Sequence, residues 1–310
     1  MDLVERILEG DRRAIARAIS MVEDGAEGLA ELSAGLFPHT GRAWTIGLTG
    51  SPGVGKSTLA GELVRVARAR ERSAAVLAID PTSPFTGGAL LGDRVRMQDH
   101  ATDPGVFIRS MATRGHLGGM ALAAPEAVRI LDASGKDLVI VETVGVGQAE
   151  VDVAAATDTT LVVVAPGWGD AVQVAKAGIL EIADVFVVNK ADREGAKAAE
   201  RDLEQMLHLG PELAWMPPVV ATSAVTGAGL DELWAAVEAH LGHLEASGTL
   251  AESRRARLLR EVESLTVEEL RGRVRDLLDG DDTLGADLAE RRVDPYRAAG
   301  LLMDRTTAAP

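Results

Sequence analysis

The chain is 310 residues long, carries 32 basic against 47 acidic side chains for a net charge of −15, and contains no cysteine. A chain of this length can bury a substantial core, in one domain with appendages or in two. The acidity argues against a nucleic-acid partner, which needs a basic face, and against a polybasic membrane contact; the lack of thiols excludes disulfides and thiolate metal sites.

In chain order, Met1-Asp2-Leu3-Val4-Glu5-Arg6 is amphipathic and acidic, unlike a signal peptide. Leu3, Ile7, Leu8, Ile15, Ile19 and Val22 recur at helical spacing, which predicts a helical N-terminal extension over residues 1–43. Leu36-Phe37-Pro38-His39-Thr40-Gly41 breaks that pattern. From 44 to 243 short apolar runs alternate with helical stretches, with strands predicted at 44–48, 74–79, 137–141, 160–165, 184–188 and 218–221, and a less marked one at 106–108. Strands rich in Val and Ile, separated by helices, predict an α/β fold: a doubly wound, mainly parallel sheet covered on both faces. Beyond 250, Leu258, Val262, Leu265, Leu270, Val274 and Leu277 mark amphipathic helices in a C-terminal segment, 244–310. No apolar run approaches the ~20 residues of a membrane span, so a cytoplasmic protein with no membrane partner is expected.

Gly50-Ser51-Pro52-Gly53-Val54-Gly55-Lys56-Ser57 spells GxxxxGK[ST], with Thr58 next. In a phosphate-binding loop the glycines let consecutive backbone N–H groups turn inward around a nucleotide's phosphates. The lysine reaches the β- and γ-oxygens and the hydroxyl ligates Mg²⁺. Trp44–Leu48 before the loop reads as a strand, and Leu59, Leu63, Val64 and Ala67 after it fall at helical spacing. That is the strand–loop–helix context the mechanism demands.

A second motif selects the base. Asn189-Lys190-Ala191-Asp192 follows the apolar run Val185–Val188. A carboxylate at Asp192 can accept from guanine N1–H and N2–H₂, whereas adenine would set a lone pair against it, a costly mismatch in a desolvated site. Lys190 would lie along the base and Asn189 would tie this loop to the phosphate loop. The backbone N–H groups of Ser223, Ala224 and Val225, after the next strand, can bind the guanine carbonyl oxygen. The expected ligands are therefore GTP and GDP with Mg²⁺.

Asp80 and Glu142 end predicted strands beside the loop, where Mg²⁺ or its waters would be held. Glu142-Thr143-Val144-Gly145 has the spacing of a DxxG segment with Glu in place of Asp, and Gly145 could donate its N–H to the γ-phosphate. Asp93, on a Gly-rich stretch, fits an acidic ligand or an ordinary helix-start residue equally on spacing. Gln148 either orients the attacking water or is a surface side chain.

Taken together, the phosphate loop, Asp80-Pro81-Thr82-Ser83, Gly92-Asp93-Arg94-Val95-Arg96-Met97, Glu142-Thr143-Val144-Gly145-Val146-Gly147-Gln148 and Asn189–Asp192 resemble the MeaB/ArgK-like GTPases. These are G-protein chaperones of adenosylcobalamin-dependent acyl-CoA mutases, and the likeness covers nearly the whole chain. It implies a P-loop NTPase domain over 44–243 and a Mg²⁺ site of Ser57, Asp80, Asp93 and Glu142. It also implies a homodimer formed through the C-terminal helices, and a mutase partner whose cobalamin transfer is gated and which stimulates GTP hydrolysis. Gly167–Lys176 resembles the third mobile loop of that family, which places Lys176 with Lys56, Asp93, Glu142 and Gln148 in the catalytic set. Trp168 and Ala171 depart from the family pattern there, so the particular mutase is left open. The other class of reading is a metallochaperone GTPase of the nickel-enzyme type, which would need Cys/His clusters. Of the six histidines only His240 and His243 lie close together, and they read as a solvated helix face. A small-molecule kinase would leave the guanine motif unexplained. No Asp-x-His-x-x-Gly cobalamin loop is found in the chain.

Overall fold

The apolar runs form a seven-stranded, wholly parallel sheet with the strand order β3-β2-β4-β1-β5-β6-β7. The computed structural model describes residues 2–80, 97, 100, 102–112, 119–143, 153, 155–167, 181–210 and 213–307, with 80, 119–122, 282 and 307 described by backbone alone. Six strands fall where the sequence predicts them: β1 Trp44–Thr49, β2 Ala74–Asp80, β4 Leu138–Thr143, β5 Thr159–Val164, β6 Val185–Val188 and β7 Val219–Ala221. The seventh, β3 Val106–Ala112, is longer than the predicted 106–108. Its second half carries Arg109 and Ser110, which hides it from an apolar count. As an edge strand it completes its polar contacts elsewhere: Glu23 accepts from Arg109 Nη2 at 2.7 Å and from Ala112 N at 3.2 Å.

Three helices precede the sheet: α1 Leu3–Leu8, α2 Arg12–Asp24 and α3 Leu29–Leu36. Asp11 caps α2 by accepting from Arg13 N and Ala14 N, and Gly25 ends it in the left-handed conformation. The helices α4 Lys56–Ala69, α5 Gly119–Ala133, α6 Ala196–Leu209 and α7 Leu230–Ser247 lie among and after the strands, followed by α8 Thr249–Asp279, α9 Asp282–Ala289 and α10 Pro295–Thr307. One face of the sheet (Ile46, Leu48, Val76, Ile140, Leu161, Val163) packs on Leu59, Leu63 and Val64 of α4 and on Leu233, Trp234 and Val237 of α7. The other face (Ala75, Leu77, Val139, Val141) packs on Ile7, Ile15, Ile19 and Leu36 of α1–α3 and on Ile130 and Leu131 of α5. The N-terminal helices thus supply a large share of the second face's cover.

By its internal contacts the chain divides into Met1–Arg257 and Leu258–Pro310, a boundary inside α8. The second unit has a small core of Leu284, Ala298 and Leu302 with Val274, Leu277, Leu288 and Val293 against it. Leu259, Val262 and Leu265 of α8 are exposed.

At the amino ends of the central strands lies a buried charge knot. Asp158 accepts from Thr45 N at 3.1 Å and from Arg254 Nε and Nη2 at 3.0 and 2.7 Å, and it also pairs with Arg257 Nη2. Arg254 reaches on to Gly41 O at 2.6 Å and Ala43 O at 2.9 Å. The same short loop gives its N–H groups to Asp132, from Gly41 at 2.5 Å and Ala43 at 2.8 Å. Arg42 N also donates to Asp132, at 3.2 Å, so the Gly41–Arg42 peptide is held at its C=O end by a guanidinium and at its N–H end by a carboxylate.

Beside the knot His240 is buried, which corrects the reading of His240 and His243 as a solvated face. The reason is a hydrogen-bonded chain that α7 brings inside. Trp44 Nε1 donates to Thr159 Oγ1 at 3.4 Å, Thr159 Oγ1 lies 2.9 Å from His240 Nδ1, and His240 Nε2 lies 3.3 Å from Asp184 Oδ1. Because the Asp184 carboxylate can only accept, the neutral ring carries its proton on Nε2 and Nδ1 accepts the threonine proton. Burial pushes His240 down to about 4 and Asp184 up to about 6.

Burial alone would raise the Asp158 carboxyl, but the hydrogen bonds and charges of Arg254 and Arg257 outweigh it and hold the group below 3.8. Its stabilisation is therefore complete above the ordinary carboxylate value and is lost as pH falls below it. Asp158→Asn should cost about 3 kcal/mol at pH 7, because it leaves two arginines facing a neutral amide. Denaturant titration at neutral and acid pH checks this: the gap between parent and variant should close as pH drops below 3.8.

Candidate functional site

Three loops meet at the carboxyl ends of β1, β6 and β7. The first leaves β1 at Gly50, whose φ of +134° and proximity to β5 exclude a side chain; a Cβ there would lie 2.1 Å from Val163 O. Ser51, Pro52 and Gly53 form the outer turn, Val54 is buried, and Gly55 precedes α4 with φ +98°. A Cβ on Gly55 would come within 2.6 Å of Asn189 Nδ2, so glycine is required for that approach. The first turn of α4, which begins at Lys56, Ser57 and Thr58, presents its N–H groups at the loop, the arrangement that binds anions. Lys56 and Ser57 are buried, and Lys56 Nζ donates to Gly50 O at 2.5 Å and Ser51 O at 3.2 Å.

Ser57 Oγ donates to Glu142 Oε1 at 2.6 Å, with Glu142 1 % exposed at the end of β4. Register explains the meeting: Glu142 pairs with Leu48 in β1, and α4 returns over that strand from the loop. A hydroxyl and a carboxylate make an all-oxygen donor pair, the kind a hard cation such as Mg²⁺ takes. Asp80 ends β2, in register with Ala112, two residues beyond the row that aligns Ala78 with Glu142. Asp93, Gly145, Gln148, Trp168 and Lys176 lie outside the described residues, as does the side chain of Asp80.

The base loops are joined to the phosphate loop by side chains. Asn189 Nδ2 donates to Val54 O at 2.9 Å, and its Oδ1 accepts from Ala224 N at 3.2 Å and Thr222 Oγ1 at 3.3 Å. Lys190 adopts φ +59° and sends Nζ to Gly53 O at 2.5 Å. Asp192 Oδ1 accepts from Ser223 Oγ at 2.6 Å. That hydrogen bond is the largest cause holding the exposed carboxyl below 3.8, so the group is an acceptor at neutral pH. Ser223 and Ala224 are buried and Val225 is 85 % exposed. Thr222 is a member that motif reading passes over. Its signal is modest, a lone threonine at the end of an apolar strand before Ser-Ala, and its hydroxyl orients the Asn189 amide.

The family model "Methylmalonyl Co-A mutase-associated GTPase MeaB" matches residues 15–278. A putative GTPase of Pyrococcus abyssi is 49% identical over 308 residues, covering 97% of this chain and 95% of its own. The mouse protein named methylmalonic aciduria type A homolog, mitochondrial, is 34% identical over 268 residues, covering 80% of this chain and 64% of its own. Among solved structures, the crystal structure of an LAO/AO transport system kinase superposes with a TM-score of 0.73 at 27% identity, covering 99% of this chain and 97% of its own. The match spans the phosphate loop, both base loops and the start of the C-terminal helices, so this chain belongs to the methylmalonyl-CoA mutase-associated GTPase family and is a GTP hydrolase with the α/β P-loop fold.

Proposed function

We propose that this GTPase is a chaperone of an adenosylcobalamin-dependent acyl-CoA mutase, coupling GTP binding and hydrolysis to loading, release or protection of the mutase's cobalamin. The observation that carries the reading is the family match over residues 15–278, in a family named for its association with methylmalonyl-CoA mutase. The name of the mouse relative points to the same metabolism.

In this reading the loop from Gly50 to Thr58 wraps the phosphates, and Lys56 places its charge on the β- and γ-oxygens. Ser57, Asp80, Asp93 and Glu142 hold Mg²⁺, which when bound draws charge off the phosphate oxygens. Gly145 reports the γ-phosphate through its N–H, Gln148 orients the attacking water, and Lys176 contributes charge from the third loop. Asp192 accepts from guanine N1–H and N2–H₂ while Ser223 holds it in place. Lys190 lies along the base, and the N–H groups of Ala224 and Val225 face the guanine carbonyl. Catalysis of this kind is nearly all positioning and charge stabilisation. The exposed Leu259, Val262 and Leu265 of α8 supply an apolar stripe for a homodimer.

Two measurements test the reading. Asp192→Asn exchanges an acceptor for a donor that opposes guanine, whereas xanthine offers a carbonyl at C2. GTP binding should weaken and xanthosine triphosphate binding should strengthen; unchanged GTP affinity by calorimetry would remove Asp192 from the base site. The partner is tested by GTP turnover with and without the cobalamin mutase of the same genome. A switch works only if its partner distinguishes the GTP and GDP states. The mutase should therefore accelerate turnover and form a nucleotide-dependent complex; equal rates and no complex on gel filtration in either state would leave the GTPase with another client.

A further inference from the structure

The loop that follows β7 is closed at its neck by a glycine. It runs from Thr222 to Ala228, and Gly229 then caps α7 with φ +74°. A Cβ on Gly229 would lie 2.0 Å from Ala221 O, 3.1 Å from Ala221 C and 3.2 Å from Thr222 Cα, all of them backbone that no rotamer can move aside. Inside the neck the chain folds back on itself: Ser223 N donates to Ala228 O at 2.9 Å, and Gly227 N donates to Ser223 O at 2.8 Å. The far end of the loop is anchored by α7, whose Leu230, Leu233, Trp234 and Val237 are buried in the core with the apolar side chains of α4. The near end is the softer one, because β7 is an edge strand of 3 residues, half-buried throughout.

That near end carries the groups that aim the base site. Thr222 N donates to Val188 O and Thr222 O accepts from Ala191 N, both at 2.9 Å. The Thr222 hydroxyl and Ala224 N hold the Asn189 amide, and Ser223 Oγ holds Asp192. We propose that Gly229 is a positioning residue for guanine recognition: by letting the start of α7 rest directly on the backbone of Ala221 and Thr222, it fixes where Ser223 presents Asp192 to the base. This rests on the role proposed above for Asp192. A side chain at 229 must push apart the two walls of the neck. The wall that yields is the edge strand with its loop, not a helix held by four buried side chains. Gly227 separates space from backbone freedom. It has the same left-handed φ, +78°, in the same loop, but a Cβ there would meet only Arg65 Nη2 at 3.7 Å and Leu230 Cδ1 at 4.0 Å, ordinary contacts.

The test is Gly229→Ala beside Gly227→Ala, with GDP and IDP affinities by calorimetry and melting temperature measured on the full chain. IDP carries hypoxanthine, which keeps the guanine carbonyl and N1–H but lacks the 2-amino group offered to Asp192. Hydrogen bonds to an ionised carboxylate are the strong ones, so the parent should prefer GDP to IDP by ~10-fold or more. Gly229→Ala should lower GDP affinity by ~10-fold, IDP affinity by less, and so bring the ratio towards one. Gly227→Ala, with the same φ and room for its methyl, should keep the parental ratio. A lower melting temperature with the parental ratio in Gly229→Ala would mark a merely structural glycine and overturn the proposal; so would an equal loss of ratio in Gly227→Ala. If Gly229→Ala does not fold, Leu230→Ala, which shortens the buried anchor next to the neck, should lower the ratio in the same direction; a parental ratio there would overturn it as well. Asp192→Ala in the same assay separates the two readings. The parental preference for GDP in Asp192→Ala would sink the base-site assignment itself, and the role of Gly229 with it. A lost preference in Asp192→Ala beside a parental ratio in Gly229→Ala would sink only the role of Gly229.

Discussion

The site depends on one carboxamide. Asn189 is buried, donates to a carbonyl of the phosphate loop and accepts from a backbone N–H and a hydroxyl beyond β7. Val54 O can only accept and Ala224 N can only donate, so the amide has one possible orientation. No aspartate could replace it, since Val54 O needs a donor, and a leucine of similar size would leave three buried groups unpaired. Through this side chain the phosphate and base pockets become one rigid body, the preorganisation that charge-stabilising catalysis requires. Gly55 belongs to the same constraint, because a Cβ there would meet the Asn189 nitrogen.

The parallel sheet brings the parts together. With every strand running the same way, the chain returns to one edge after β1, β4, β6 and β7, and β1 sits between β4 and β5, where the strand order turns to opposite sides. Ligands of open α/β sheets bind at that crossover, outside the carboxyl ends. The Ser57–Glu142 contact is a direct result: adjacent strands place a carboxylate level with Leu48, and the helix that follows the loop folds back over it. No long-range recognition between the two residues has to be specified beyond the strand register.

Much of this was legible in the sequence, for physical reasons that also say where legibility ends. The loop glycines, the Asn189–Asp192 motif and the strands buried on both faces leave local signatures, because each demands a residue type at a fixed spacing. β3 was only half visible because an edge strand can carry Arg109 and Ser110, and the Arg109 guanidinium finds its partners on α2. His240 was misread because its partners, Thr159 and Asp184, are distant in sequence and helical spacing alone does not show which face an α7 residue occupies. The knot of Asp158, Arg254 and Arg257 was invisible for the same reason: a buried ion pair has no periodicity, and these arginines look like any charged flank of an amphipathic helix. Gly229 reads in sequence as an ordinary turn glycine, and only the approach of Ala221 O gives it meaning.

The two edges of the sheet have opposite physical character. At the amino ends, Asp158 with its two arginines and the chain Trp44–Thr159–His240–Asp184 satisfy one another away from solvent, so that opening any one of them strands the others in a low-dielectric interior. At the carboxyl ends the chain carries glycines, an exposed Asp192 and an exposed Val225, groups whose exposure costs the fold little. A nucleotide can bias only elements whose contacts differ between its two states. The knot touches no part of the phosphate or base loops and so gives nothing to such a difference by itself.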